Sequence, residues 1–267
     1  MTHIFHVHTF RCKHASDELD EDYIKTALSL GAEKITFTEH CPFPGNPFRK
    51  RMDLDQLPEY IETLKSLRDK YQNQIKIEIG LEVEYIPSML SFYESLDRLE
   101  LEPLILGQHF YQHPDGTYSF DDDKEYNKKN ESIGCSTAMI DGIKSGLFKV
   151  VAHPDRIFRR CKAWTPEMEA ISKELISTAA QNDVMLEKNL SSFEKYLNKS
   201  NFIFWRKEFW DLVDSFNQTV PKPVKTIVGF DAHSTENMIQ RAEILENNKD
   251  ILYPFISRND SEGSSSH

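Results

Sequence analysis

The sequence predicts an α/β fold, a distorted (β/α)7 barrel that is TIM-barrel-like, with parallel strands enclosed by outer helices. Short apolar runs alternate with longer amphipathic stretches along the 267 residues, which is typical of parallel strands joined by helical crossovers. Histidines recur at the ends of these runs, where a parallel barrel gathers its functional side chains on one face. The predicted strands cover residues 4–8, 34–40, 75–85, 103–110, 148–155, 184–189 and 226–233.

Two helices are predicted from their apolar spacing and their end signals. The first covers residues 19–30, with Ser16 or Asp17 as the expected N-terminal cap and Gly31 as the residue that ends it. The second covers residues 54–71. Its apolar side chains recur at spacings of three and four, which indicates one buried face: Leu57, Ile61, Leu64, Leu67 and Tyr71.

An open, doubly wound sheet is the alternative arrangement of the same elements. Its nucleotide-binding form is disfavoured because no glycine-rich phosphate loop follows any predicted strand. Barrels of roughly 250 residues commonly fold as one domain. We therefore expect a single barrel domain over residues 1–256, followed by a flexible tail over residues 257–267.

The composition favours a small-molecule partner. The formal net charge is -11, whereas a protein that grips nucleic-acid phosphates normally carries a basic surface. No apolar segment approaches the roughly 18 residues of a membrane span, and the first residues are too polar for a signal peptide. We therefore expect a cytoplasmic protein without nucleic-acid or membrane contacts; the oligomeric state is left open.

The four cysteines form no CxxC pair, so neither a disulfide framework nor a cysteine-based zinc site is predicted. The histidines are more informative. Six of the ten lie at or just past the carboxyl ends of predicted strands, which meet on one face of a parallel barrel: His6, His8, His40, His109, His153 and His233. This placement predicts an active site built by imidazoles.

Pairs of these polar residues share strand faces. His6 and His8 are two residues apart, so both are expected on one face, with Phe5 and Val7 on the other. Two adjacent imidazoles would repel each other when protonated, which favours metal binding. Asp231 and His233 repeat this spacing on the last strand.

Acidic residues accompany the histidines. Glu82 and Glu84 share a face of the third strand, and burying both acids is costly without a cation. Glu84 is the stronger candidate for a partly solvated strand end. Glu39 precedes His40 and is expected to point the other way, as a supporting acid.

Six motifs in order carry a resemblance to a known family. They are the HxH pair with His14 downstream, then TEH, GLEVE, GQHF, HPD and FDAHS. Together they span His6 to about Ser234 and resemble the polymerase and histidinol phosphatase (PHP) family. The resemblance implies a distorted (β/α)7 barrel with a trinuclear metal centre.

The resemblance also implies a ligand set. His6, His8, Glu82 and Asp231 would hold one divalent ion, and Glu82 would bridge it to a second. The ligands of the other two ions would be His109 and His153 for the second and His14, His40 and His233 for the third. Nitrogen and oxygen donors without a thiolate suit Mn, Fe, Co or Zn.

Within the family, the motifs look most like those of the histidinol-phosphate phosphatases. This implies hydrolysis of L-histidinol phosphate, a small phosphomonoester, in histidine biosynthesis by a metal-bridging hydroxide, with Asp231 or a metal-bound water protonating the leaving group. The loops after the strands offer further residues for the substrate. Arg160 and the basic cluster Arg49, Lys50 and Arg51 are candidates for phosphate, and Glu187 for the substrate's cationic groups.

Two other functions remain open on the sequence. The same metal site would serve a phosphodiesterase, a nuclease-like enzyme or a phosphotyrosine phosphatase. The alternative from another class is a non-catalytic metal-binding domain on a decayed enzyme scaffold. Decay of an enzyme should leave gaps among the metal ligands, and none is found.

Overall fold

The computed structural model describes residues 3–119 and 128–253, and a seven-stranded sheet lies at their centre. Neighbouring strands in chain order pair in parallel throughout. The strands are β1 His3–Val7, β2 Lys34–His40, β3 Lys76–Val83, β4 Leu104–Leu106, β5 Val150–Val151, β6 Met185–Asn189 and β7 Thr226–Gly229.

The two outer strands of this sheet meet and close it into a barrel. A parallel bridge joins Val7 of β1 to Ala232, just past β7. Backbone hydrogen bonds flank it, from Phe230 N to Phe5 O at 2.7 Å and from His8 N to Ala232 O at 2.9 Å. This seam confirms the barrel and excludes the open doubly wound sheet.

Helices surround the barrel, as parallel crossovers require. They are α1 Asp20–Ser29, α2 Leu57–Tyr71, α3 Leu90–Asp97, α4 Lys128–Lys144, α5 Pro166–Gln181, α6 Leu190–Leu197, α7 Lys207–Thr219, α8 Thr235–Asn247 and α9 Lys249–Leu252. Short 3-10 turns occur at Phe10–Cys12, Leu54–Gln56, Pro87–Met89 and Pro154–Phe158.

The predicted cap of α1 is wrong, whereas its predicted end is confirmed. The helix begins four or three residues beyond Ser16 and Asp17, and the Asp22 carboxylate accepts a hydrogen bond from Leu19 N at 3.2 Å. Gly31 follows the helix with a φ of 73°, a left-handed conformation that glycine adopts at low cost. The second helix is also confirmed, with its first turn wound as a 3-10 turn.

A β-bulge in β1 overturns one expectation about side-chain direction. His6 has a φ of 68°, and the register with β2 shifts between Phe5 and Val7. Phe5 therefore packs inside the barrel against Ile105 and Val150. Val7 instead joins the large apolar core. The prediction that Phe5 and Val7 share a face is wrong because the bulge inserts one residue between them.

Three predicted strands extend too far at their carboxyl ends. The predicted strands over residues 103–110, 148–155 and 226–233 are longer than β4, β5 and β7. The chain leaves the extended conformation where site residues begin: His153 has a φ of 34° and Asp231 a φ of 50°. The apolar pattern continues past these points, so it does not reveal the change in backbone.

Within the described ranges, no helix is long and apolar enough to cross a lipid bilayer. The tail predicted over residues 257–267 lies outside those ranges. The single-domain boundary at residue 256 stays a prediction.

Candidate metal centre

Glu82, at the end of β3, lies at the centre of the imidazole cluster and is 1% exposed. Its two carboxylate oxygens face five histidines from four other strands or their following turns. The nitrogen–oxygen distances are 2.8 Å for His153, 2.9 Å for His40, 3.6 Å for His109 and 3.7 Å for both His6 and His8. The barrel thus gathers distant motifs around one carboxylate.

The remaining candidates adjoin this cluster. Asp231 Oδ1 lies 3.5 Å from His8 Nε2 and 3.6 Å from His233 Nδ1. The His14 ring centroid is 4.5 Å from that of His233 and 5.2 Å from that of His40. The structure therefore brings all nine predicted ligands together; their roles as ligands stay predictions.

The chemistry of the donor set fits bound cations. Several buried donor or acceptor atoms in the cluster have no hydrogen-bond partner among the described residues: His6 Nε2, both ring nitrogens of His8, His40 Nδ1, Glu82 Oε2, His153 Nδ1 and His233 Nε2. Unpartnered buried polar atoms are costly, and a shared cation would satisfy them.

Groups of ligand atoms within 4.8 Å of one another define possible ion positions. They are His6, His8 and Asp231; His40, Glu82 and His109; His8, His40 and His233; and Cys12, His14 and His233. The first two overlap the sets implied by the resemblance. The implied third set is divided between the last two groups, which share His233, and it gains Cys12.

The imidazoles keep the central acids ionised. Burial alone would raise the pKa of Glu82, but interaction with the surrounding imidazoles of His109, His40 and His6 holds that pKa well below its usual value. Burial also opposes ionisation of Asp231, yet the nearby imidazoles of His8, His6 and His233 hold its pKa well below normal. An ionised Asp231 suits a metal ligand better than the predicted proton donor.

A second layer of buried acids holds the imidazoles in place. Glu187, which is fully buried, accepts from His6 Nδ1 at 2.6 Å through Oε1 and from His153 N at 2.8 Å through Oε2. Neither oxygen faces the cavity, so the predicted contact of Glu187 with the substrate has no geometric support. Its place is that of an acid that orients a candidate metal ligand.

Glu39 and Glu84 hold other parts of the site. Glu39 accepts hydrogen bonds from Thr9 N at 2.8 Å and His40 N at 2.7 Å, and it lies 3.5 Å from His8 Nδ1, as the supporting role predicted for it requires. Glu84 Oε1 lies 2.8 Å from His109 Nδ1 and also accepts a hydrogen bond from Arg51. Burial raises the pKa of Glu84 to about 7, against the opposing charge of Arg51. Glu84 is fully buried and is not a partly solvated strand end.

The cluster opens into a cavity of about 900 Å³ at the carboxyl ends of the strands. Six cationic side chains line this cavity, although the chain is acidic: Arg49, Lys50, Arg51, Arg156, Lys195 and Arg241. Arg49, Lys50 and Arg51 were predicted there. Arg160 is not among the lining residues of the described chain, and Arg156, one turn earlier in Pro154–Phe158, takes that position.

Sequence reasoning missed Arg156, Lys195, Arg241 and Cys12 at this site. Arg156 follows the HPD motif directly, and the left-handed turn at His153 brings it over the cavity. Arg241 comes from α8 and donates to the carbonyl oxygens of Phe230 and Asp231 at 3.0 and 2.6 Å. Proximity to the HPD motif was an available signal for Arg156. Arg241 could be identified only once the barrel seam was known.

The sequence profile of the PHP domain matches residues 5–191, more than half of the chain. This chain belongs to the PHP domain family. The matched range contains every candidate ligand except Asp231 and His233. The barrel seam brings these two residues next to the imidazole cluster.

Several curated relatives of this PHP chain are named histidinol-phosphatases, and others are named probable phosphatases. It is 27% identical to the histidinol-phosphatase of Bacillus subtilis over 85% of this chain and 92% of that protein. It is 29% identical to the probable histidinol-phosphatase of Deinococcus radiodurans, but over 56% of this chain and only 59% of that protein.

A solved structure shares the fold. The histidinol phosphate phosphatase of Lactococcus lactis, described as complexed with zinc, L-histidinol and phosphate, superposes with a TM-score of 0.68 at 21% identity. The superposition covers 92% of each chain. At this identity the likeness shows a common PHP barrel.

Proposed function

We propose that this chain is a metal-dependent phosphomonoesterase that hydrolyses L-histidinol phosphate to L-histidinol and orthophosphate, in histidine biosynthesis. The observation that carries the proposal is the pairing of two features in one place. Nine imidazole and carboxylate donors lie below a cavity lined by six cations, in a chain of net charge -11. A small phosphorylated substrate fits such a cavity, and the histidinol-phosphatases among its relatives support this choice of substrate.

The proposal places three divalent ions on the donor cluster, held by His6, His8, His14, His40, Glu82, His109, His153, Asp231 and His233. When bound, such ions acidify water and offset the charge of the phosphoryl oxygens. Mn, Fe, Co and Zn all suit nitrogen and oxygen donors. The zinc of the Lactococcus lactis structure makes Zn²⁺ a sensible first ion to test.

Arginines of this chain would bind the phosphate. Nε and Nη1 of Arg51 and Nη1 of Arg156 are buried at the cavity and have no hydrogen-bond partner among the described residues. Burial lowers the pKa of Arg156 to about 10, so the side chain still carries its charge at neutral pH. Donors in this state gain hydrogen bonds when an anionic phosphate enters.

Aromatic side chains would receive the leaving group. Phe48, Phe110 and Phe204 line the same cavity and offer apolar faces for the imidazole of histidinol. Lys195 lies over the Phe204 ring at 4.6 Å and is hydrogen bonded to Ser191 at 3.1 Å. Lys195 lines the same cavity as Arg156.

The direct test is hydrolysis after metal removal and reconstitution with Zn²⁺ or Mn²⁺, followed as orthophosphate release for the monoesters and as para-nitrophenol release for the diester. The panel comprises L-histidinol phosphate, para-nitrophenyl phosphate, phosphotyrosine and bis(para-nitrophenyl) phosphate. We expect the highest kcat/KM for L-histidinol phosphate and little release from the diester. A metal-loaded chain that releases no phosphate contradicts the proposed function. If the diester or phosphotyrosine has the highest kcat/KM, that compound replaces L-histidinol phosphate as the proposed substrate.

Two arginine variants test phosphate recognition. Arg156→Ala is expected to lower kcat/KM for L-histidinol phosphate about 10- to 100-fold, because a hydrogen bond to a charged group contributes about 1.5–3 kcal/mol. Arg160→Ala serves as the neighbouring comparison and should cost less, since Arg160 is not part of the cavity lining. A larger loss in Arg160→Ala would return this role to Arg160, as the sequence predicts.

A further inference from the structure

Cys12 differs from the other cysteines in its surroundings. Cys41 and Cys135 belong to the large apolar core, and Cys161 packs against it. Cys12 is equally buried, at 0% exposure, but it is not a member of that core. Its sulfur instead lies within 4.8 Å of ligand nitrogens of His14 and His233. A buried thiol beside two imidazoles is the arrangement of a mixed sulfur and nitrogen metal site.

The backbone around Cys12 aims these groups at one another. Cys12 ends the 3-10 turn Phe10–Cys12, and Lys13 follows in a left-handed conformation with a φ of 64°. This turn folds His14 back so that its Nδ1 lies 2.9 Å from the Cys12 carbonyl oxygen. The other nitrogen, Nε2, is then left to bind an ion.

His233 completes the group from the opposite side of the seam. Its Nδ1 lies 3.2 Å from the Asp231 carbonyl oxygen, and its Nε2 is buried without a hydrogen-bond partner among the described residues. The Ser16 N to His233 O hydrogen bond, 2.8 Å long, ties the segment after Cys12 to the His233 turn. The three donors are therefore held by backbone contacts on both sides.

We propose that Cys12 is a thiolate ligand of the third divalent ion, together with His14 and His233. This inference rests on the metal centre proposed above and adds a sulfur donor to it. Coordination transfers the thiol proton to solvent, with no change in oxidation state. A sulfur donor favours Zn²⁺ and Co²⁺ over Mn²⁺ and Mg²⁺ at this one position.

Cobalt substitution tests the assignment without reference to activity. The full chain is stripped of metal and loaded with Co²⁺, the cobalt content is measured, and the near-ultraviolet spectrum is searched for thiolate-to-cobalt charge-transfer absorption. We expect this absorption in the unaltered chain and in Cys41→Ala, because Cys41 follows His40 in the sequence but lies in the apolar core. It should be lost in Cys12→Ser, which removes the sulfur.

A second variant keeps the test decisive if Cys12→Ser does not fold. A chain with Cys41→Ala, Cys135→Ala and Cys161→Ala retains Cys12 as its sole cysteine. Charge-transfer absorption in this chain supports the inference. A cobalt-loaded unaltered chain without the absorption overturns it, as does absorption that persists in folded Cys12→Ser. Failure to take up cobalt at all would instead overturn the metal centre itself.

Discussion

Glu187 shows how a side chain that never faces the cavity can govern the site. It is fully buried behind His6, and its two oxygens engage His6 Nδ1 and His153 N at 2.6 and 2.8 Å. The first contact leaves His6 Nε2 directed toward Glu82, and the second fixes the turn that presents His153. An acid in this position sets the orientation of two candidate ligands on different strands.

Replacing this acid tests its effect on the imidazoles. Glu187→Gln keeps the side-chain shape, but it replaces the charged carboxylate that accepts hydrogen bonds from both partners with a neutral amide. We therefore expect metal dissociation constants to rise about 10- to 100-fold. Titration of the metal-free chain with Zn²⁺ against a competing chelator measures the change. Glu78→Gln is the control. Glu78 lies on β3, several residues before Glu82, and it pairs with Lys34 of β2 and Lys76 of β3. Equal zinc affinity in Glu187→Gln and the unaltered chain would contradict the role.

Spacing at the strand ends marked most of the candidate ligands in the sequence, and the resemblance to the PHP family supplied the full set of nine. HxH, HPD and FDAHS each mark a strand end, and a parallel barrel brings all strand ends to one face. The supporting contacts were not predictable in this way. Glu187 was placed at the correct strand end, but its direction depends on His6, 181 positions earlier, and on the bulge that turns His6 toward it.

At the scale of secondary structure, close packing between neighbouring strands holds the acids in place. Gly229 ends β7 beside Glu187 of β6. A Cβ at residue 229 would lie 1.7 Å from Glu187 Oε1, a distance that no real pair of atoms adopts. The absent side chain is what gives the Glu187 carboxylate its room.

This contact predicts a metal defect from a small change in β7. Gly229→Ala should displace the Glu187 carboxylate, release His6 and lower zinc affinity by an amount similar to Glu187→Gln. Gly80→Ala is the matched control, because its Cβ would meet the Pro103 carbonyl at 2.0 Å, away from the site. The control should lower the free energy of unfolding, measured in urea, while its folded fraction keeps normal zinc affinity. If Gly229→Ala binds zinc normally, the packing argument fails.

The seven strands were predictable in number and order because alternating apolar patterns encode them, and two of the helices were predictable from their apolar spacing. The ends of the strands were less predictable where the site residues begin. His6, His153 and Asp231 all adopt left-handed backbone conformations, with φ values of 68°, 34° and 50°. Such conformations in residues other than glycine cost about 1–3 kcal/mol each and persist when the surrounding structure enforces them. Side-chain patterns carry no signal for them.

At the scale of the whole molecule, many buried polar atoms have no hydrogen-bond partner among the described residues. Seven such atoms belong to the imidazole and carboxylate cluster. Cations that bind the folded chain and not the unfolded chain must therefore raise the free energy of unfolding. An ion at 100 times its dissociation constant contributes about 2.7 kcal/mol per site.

Thermal unfolding measures this stabilisation. Adding Zn²⁺ in that excess to the metal-free chain should raise Tm by about 5–10 °C for each site filled, given the usual unfolding entropy of chains of this size. Glu82→Gln removes the central carboxylate and should show a smaller rise. The same Tm with and without zinc would mean that the cluster does not bind cations in the folded state.

The seam between β1 and β7 also dictates when the centre can exist during synthesis. His6 and His8 leave the ribosome early, whereas Asp231 and His233 follow about 225 positions later. Only then does the hydrogen bond from Ala232 N to His6 O join the two segments. A nascent chain thus holds the first imidazoles without Asp231 throughout most of its elongation. In the proposed metal centre, the ions that Asp231 and His233 would hold can therefore bind only after the last strand is in place.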